Sequence, residues 1–380
     1  MTYSFDKLSA EYKKSSIRWQ PFLDKAVIPL TVADMDFPLA PVLKEALQNQ
    51  LNVGYYGYSY EKSLIEKIQL YLHNQYAWEV SQDDILLVPG VVNGLNIFAQ
   101  DLVDKDQHVI IPSPIYQNCF KAFEQAQISC DFSPLHLVND RWVVNLEDWE
   151  VHRQANTKAI MFCNPHNPTG TVFRRDELLS IANFCENNDL IICSDEIHAP
   201  LIIAPESHHI PIASLSPEIA KRTVTLMSLN KAFNFPGVGL GWCVCQNAAM
   251  RVKIQKSLEL QAVQINSIAQ LLTLVALQSG GPWLNDLLIY LRQNNQVIRQ
   301  FLAKNSLIKW HKSEATFLAW LDFSELSIKD PLKDFFQSGV VLSPGRQFMS
   351  SQDGFFRLNY GVPQYVLQEA LNRIKNSLAD

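Results

Sequence analysis

Lys231 is the only Lys, Arg, His, Asp or Glu between Thr223 and Met250. Phe, Pro, Gly, Leu and Trp surround it in "MSLNKAFNFPGVGLGW" (227–242), so its amine is buried or lines a cleft. A buried ammonium without a partner is costly, and the relief is a lowered pKa or a chemical change. A desolvated lysine is also a nucleophilic amine. The competing reading is a snorkelling lysine whose ammonium reaches water.

The apolar run "LIICSDE" (190–196) closes on Asp195-Glu196, and the next run, "TVTLMSLNK" (223–231), closes on Lys231. A carboxylate and a lysine at neighbouring strand ends suit pyridoxal 5'-phosphate. The lysine holds the aldehyde as a Schiff base, and the acid keeps the pyridine nitrogen protonated so that the ring draws electrons. Taken alone, Asp195 is as compatible with a helix cap or an ion pair.

Other residues could complete such a site. "VPGVVNGLN" (88–96) reads as a strand-to-helix turn, where the free N–H groups of Gly90, Val91 and Val92 would bind phosphate without a basic side chain. Ser228 offers a hydroxyl nearby. "CNPHNPTG" (163–170) is the most specific stretch: two Asn-Pro units and a Gly make a rigid turn from which Asn167 can aim its amide at a ligand oxygen. Tyr116 could stack on a cofactor ring or serve as core, and Tyr58 is either functional or part of an aromatic cluster. His198 could hydrogen-bond a cofactor oxygen, with a satisfied core histidine as the alternative. Arg357, on the short apolar run "FFRLNYG", could clamp a carboxylate bidentately or form a structural ion pair. The glycines of "GVGLG" (237–241) open no helical pattern after a strand, and no dinucleotide loop is expected. Glu206, His208 and His209 lack the spacing of a metal site, and none is expected.

These residues need a frame that brings them together. Short apolar runs recur at 85–90, 108–114, 159–165, 190–196 and 223–231, each followed by Pro, Gly, Asn or Asp, with helical patterns such as "RRDELLSIANFCENN" between them. That alternation predicts an α/β protein with a mainly parallel sheet covered on both faces, whose ligands collect at the carboxyl ends of the strands. A long helix is expected over 248–278, ending at Gly280-Gly281-Pro282, followed by another helix, strands in "TFLAWLDF" and "GFFRLNYG", and a closing helix over 364–378. The expected division is a large domain, 46–282, and a smaller α+β domain, 283–380, joined by the N-terminal segment 1–45.

A chain of 380 residues with a net charge of −6 and no basic cluster argues against nucleic acid as a partner. No run of eighteen apolar residues predicts a membrane span. Seven cysteines, an odd number without a CxxC pair and set in apolar runs, fit a reduced cytoplasmic protein.

Together, "VADMDFPLAP" (32–41), "YGYSY" (56–60), "PGVVNGLN", "NPHNPTG", "SDEIH" (194–198), "HIPIASLS" (209–216), "SLNKAFN" and "FRLNYGVP" resemble the fold-type I PLP-dependent enzymes. The resemblance is to the MalY/PatB branch of the class I/II aminotransferase superfamily, the cystathionine β-lyase-like C–S lyases. It implies a homodimer with sites at the subunit interface, Lys231 as the Schiff-base lysine and Asp195 as the partner of the pyridine nitrogen. It further implies Asn167 and His198 at the phenolic oxygen, Tyr116 stacked on the ring, Tyr58 at the neighbouring subunit's phosphate and Arg357 on the substrate carboxylate. The chain departs from that pattern at Thr31, Pro200, Asn230, Val362 and Gln364, and Gly239 stands where many aminotransferases carry an arginine. The implied reaction is β-elimination of a thiol from cystathionine or a cysteine S-conjugate, yielding pyruvate and ammonia. The alternatives are transamination at the same site and a regulatory or binding protein that keeps the fold.

Overall fold

The computed structural model describes residues 1–58, 62–262, 264–326, 331–350 and 353–377. Ser59 and Tyr60 of the "YGYSY" motif lie outside them.

A seven-stranded sheet organises the molecule. Across it the strands run Ile85–Val88, Gly241–Val244, Thr223–Met227, Ile191–Asp195, Thr157–Cys163, His108–Ser113 and Ser129–Pro134. Six run in one direction; Gly241–Val244 is antiparallel to both its neighbours. The expected strands are therefore present, and the sheet has two further members. The inserted "GWCV" strand is too short to stand out beside the lysine loop, and the edge strand Ser129–Pro134 has only one buried position. His108–Ser113 and Thr223–Met227 are buried at every position, which is why they read as unbroken apolar runs rather than alternating ones.

Helices Val91–Asp101, Gln117–Gln125 and Arg175–Asn187 cover the sheet through buried stripes such as Leu95, Phe98, Phe123, Leu178 and Ile181. The helix expected over 248–278 is two helices, Ala248–Leu260 and Ser267–Ser279. Ala262 turns into the left-handed region, and the Asn266 side chain accepts the N–H groups of Ile268 and Ala269, starting a new helix instead of continuing the old one. Gly281–Leu302 follows with Pro282 in its first turn.

Strand Phe355–Asn359 lies between Leu318–Asp322 and Ser343–Pro344, antiparallel to both, with the closing helix Gln364–Ser377 after it. Ile28–Pro29 pairs with Val340–Val341, so the N-terminal segment is tied to this later part of the chain. Among the described residues no helix is long and apolar enough to cross a membrane, and all seven cysteines are free.

Candidate active site

Asp195 is the last residue of its strand, Lys231 follows the adjacent strand by four residues, and the two strands pair in parallel. Sheet order alone thus sets both groups at the carboxyl ends of two neighbouring inner strands. Burial draws the Lys231 amine down to about 8, opposed by the charge of Asp34, aided by Arg357 and opposed again by Asp195. Burial raises the Asp195 carboxyl to about 6, against the hydrogen bond it accepts from Ile197 N–H at 3.1 Å. The other carboxylate oxygen has the Cys119 thiol 3.9 Å away.

Arg357 reaches the site from the middle of strand Phe355–Asn359. Its Nη1 donates to Asn167 Oδ1 at 3.0 Å and its Nη2 to the Thr31 carbonyl at 2.9 Å, while the guanidinium stands 4.7 Å over the Phe348 ring. Its Nε is buried without a hydrogen-bond partner among the described residues. No carboxylate answers this cation there, and burial pulls it down to about 10. Asn167 is presented by the expected turn, which closes through Gly170 at φ +73°; a Cβ there would stand 2.1 Å from Ser313 Oγ. His198 is fully enclosed, its Nδ1 has no partner, and burial followed by the nearby Lys231 and Arg357 charges pushes it down to about 3. Tyr116 immediately precedes helix Gln117–Gln125; its hydroxyl accepts from Asn118 at 2.7 Å and burial lifts it to about 12, with Asp195 and Arg357 both close enough to act on it.

Gly90 adopts φ +145° and begins helix Val91–Asp101, leaving the first N–H groups of that helix outside its own ladder. The start of this helix and the end of the lysine strand converge: a Cβ on Gly241 would lie 3.0 Å from Met227 O and 3.2 Å from Val91 N. Ser228 is close by, but its hydroxyl already donates to Leu240 O at 2.6 Å and accepts from Asn230 N.

Tyr58 is not gathered with these residues. It is 92% exposed and lines a cleft with Tyr55, Ser63, Ser267 and Gln270. Of the adjacent histidines, His209 is engaged elsewhere. His209 Nε2 lies 2.7 Å from Glu196 Oε2, and Glu206 pairs with Lys312.

Sequence reasoning named "VADMDFPLAP" (32–41) as a motif but gave it no place in the site, which it crosses. Lys231 Nζ donates to Ala33 O at 2.6 Å. The Asn359 amide donates to Val32 O at 2.5 Å and Asp34 O at 2.6 Å, and the Asn234 side chain bridges Met35 N, Met35 O and Phe37 O at 2.7–2.9 Å. Two asparagine amides therefore staple residues 32–37 over the lysine. Their signal was present in "KAFNFPG" and "FFRLNYG", because an amide inside an apolar run must find partners.

Several comparisons bear on this arrangement. The model of the family "Aminotransferase class I and II" matches residues 25–374. Cystathionine beta-lyase PatB of Bacillus subtilis (strain 168) is 30% identical over 387 residues, covering 99% of this chain and 100% of that protein. The crystal structure of OvoB superposes with a TM-score of 0.95 at 34% identity, covering all of both chains. The PLP-bound C-S lyase from Staphylococcus hominis superposes with a TM-score of 0.92 at 28% identity, covering 100% of this chain and 99% of that one.

Proposed function

Since the chain belongs to the aminotransferase class I and II family, we propose that it is a pyridoxal phosphate-dependent C–S β-lyase, releasing a thiol, pyruvate and ammonia from cystathionine or a cysteine S-conjugate. Its fold is the fold-type I architecture of PLP enzymes, and its relatives are C–S lyases and aminotransferases. The observation that carries the reading is the placement of Lys231 and the buried Asp195 carboxyl at the carboxyl ends of two adjacent parallel strands, with no ion pair between them and the amine hydrogen-bonded to Ala33 O.

The residues fit the cofactor. Asp195 is a buried acid relieved only in part by the Ile197 N–H and the Lys231 charge, and a protonated pyridine would relieve it further. Val91 and Val92, at the start of their helix, offer N–H groups to a phosphate, and Gly90 precedes them. His198 Nδ1 and Arg357 Nε are buried polar atoms with no partner among the described residues. When bound, the cofactor supplies an aldehyde for an amine and a ring that withdraws electrons from the substrate's Cα.

The chain's own residues account for the rest. Lys231 would hold the aldehyde, and once the substrate's amine has replaced its own it would take the Cα proton as general base. With its pKa near 8, an appreciable fraction of that amine is unprotonated around neutrality. Arg357, already fixed by Asn167 and Thr31, would take the substrate carboxylate and so turn the Cα–H toward Lys231. Tyr116 would bound one face of the ring, and Asn167 and His198 would hold its oxygen. The β-carbon then loses its thiolate, and the remaining three carbons hydrolyse to pyruvate and ammonia. The Ser228 hydroxyl keeps one lone pair for the phosphate region.

A homodimer completes the reading. Tyr55, Tyr56 and Tyr58 are largely exposed, as are Leu51 and Val53 just before them in the chain. A second copy would cover them and bring Tyr58 to its partner's phosphate. Residues 46–282 form the large domain in this reading, and 283–380 with 1–45 form the small one. A cytoplasmic location belongs to this reading, supported by seven cysteines that are all free.

The test is borohydride reduction of purified protein, digestion and mass analysis of the Lys231 peptide, alongside pyruvate release from cystathionine. A pyridoxyl adduct on Lys231 together with pyruvate is the expected result. An adduct with amino-group exchange to a 2-oxo acid and no pyruvate would establish the aminotransferase instead. No adduct would sink the cofactor assignment.

A further inference from the structure

We propose that Phe348 is the positioning residue that aims the Arg357 guanidinium at the substrate's carboxylate and ties it to the chain beside Tyr116. The inference rests on reading Arg357 as the carboxylate-binding group. Its geometric basis is three contacts that meet on this one buried residue. The Phe348 ring lies under the guanidinium, 4.7 Å from Cζ. The same ring meets Trp320 edge to face at 5.4 Å. The Phe348 carbonyl accepts the N–H of Ile115, the residue before Tyr116, at 2.8 Å.

The surroundings hold Phe348 where it is. It closes the short turn Gly345–Phe348, which packs hard against strand Phe355–Asn359: a Cβ on Gly345 would stand 3.0 Å from Phe355 O. Trp320 pairs with Arg357 across the antiparallel strands, so both side chains leave the same face of the three-stranded sheet. Trp320 is itself stacked on Phe355 at 5.4 Å. The Phe348 ring is therefore wedged between an immobile indole and the guanidinium, while its backbone reaches the strand end that carries Tyr116.

Hydrogen bonds alone do not set the direction of Arg357. Nη1 is held by Asn167 Oδ1 and Nη2 by Thr31 O, which leaves the guanidinium plane free to tilt about the line through those two nitrogens. Nε has no partner among the described residues and keeps a donor for an incoming carboxylate, so the tilt decides where that donor points. A ring face under the cation resists the tilt, because it attracts the charge and fills the space into which the plane would turn. The attraction is strongest where water is excluded, and Phe348 and Arg357 are only 3% and 5% exposed.

The experiment is a titration of the holoenzyme's visible spectrum with two amines. L-Alanine has a carboxylate and no β-leaving group, and ethylamine is alanine without the carboxylate. Phe348→Leu keeps an apolar side chain and removes the ring face. It should weaken alanine binding about tenfold and leave ethylamine binding unchanged. Equal weakening of both, or of neither, overturns the inference and leaves the cofactor reading intact. A wild type that binds both amines alike overturns the reading of Arg357 and this inference with it. Absence of any visible band in the wild type overturns the cofactor reading as well. Should Phe348→Leu not fold, a trifluorinated phenylalanine at that position keeps the shape and depletes the negative face of the ring. It should weaken alanine binding alone, and no weakening there overturns the inference equally.

Discussion

Two of the molecule's buried ionic clusters are built on opposite terms. In the first, Arg141 donates through Nη1 and Nη2 to both carboxylate oxygens of Glu177, at 2.7 and 3.2 Å, through Nη2 also to Val172 O, and through Nε to Glu314 at 3.2 Å. The acids are occupied as well. Glu314 accepts from Val172 N–H at 3.1 Å, and Glu177 from Arg174 N–H at 2.7 Å. In the second cluster Lys231 and Asp195 form no ion pair, Arg357 meets amide and carbonyl oxygens instead of a carboxylate, and His198 Nδ1 has no partner among the described residues. The first cluster is closed by the protein itself and links the turn after "NPHNPTG" to residue 314. The second leaves its charges for something else to answer. Unanswered buried charge is unfavourable to the fold, and its presence at the carboxyl ends of the strands supports the proposed site.

The sharpest way to break this comparison is to truncate each cluster and measure stability. Arg141→Ala strands the buried Glu314 and takes the fork from the partly exposed Glu177, and urea unfolding should show a loss of about 3–5 kcal/mol. Lys231→Met removes a charge that the cofactor-free protein does not pair, and should leave that form as stable as wild type or more so. Equal losses in both would erase the distinction.

Next in size is a pH effect on the cofactor-free protein. The Asp195 carboxyl is raised from 3.8 to about 6 by burial, so between those values the folded state binds more protons than the unfolded one. Stability then falls as pH rises through that window, by on the order of 3 kcal/mol for a two-unit shift. Asp195→Asn cannot ionise and should flatten that part of the profile, as read by denaturant midpoints between pH 4 and 6. An unchanged slope would show that Asp195 is already compensated.

The smallest effect expected is at Arg357. Arg357→Lys keeps the cation and loses the fork, and should lower kcat/KM by about 10- to 100-fold, mostly through KM. A loss confined to kcat would assign Arg357 to the chemistry rather than to holding the carboxylate.

Much of the site was legible because the chain has few polar residues where its strands end. Lys231 stood out in an apolar stretch, Asp195 closed the preceding run, and the paired Asn-Pro units announced a turn with one amide to spare. Adjacent parallel strands did the rest, since a register that aligns Asp195 with Leu226 sets the acid five residues from the lysine on the neighbouring strand's continuation. The antiparallel insertion of Gly241–Val244 was not legible, because four buried residues carry no period that distinguishes direction. Nor was the break at 261–266, where a single asparagine cap outweighs a helical pattern that continues through it.

By itself the sequence determined which side chains were available for chemistry, and it ordered them along strands that had to be buried and parallel, because apolar period and turn residues are local properties. Only the tertiary structure decided that residues 32–37 cross the lysine, that Asn234 and Asn359 staple them, that Arg357 meets Asn167 from 190 positions away, and that Tyr58 faces outward. Those relations depend on contacts between segments distant in the chain, and neither local pattern nor composition encodes which distant backbone carbonyl a buried amide will find.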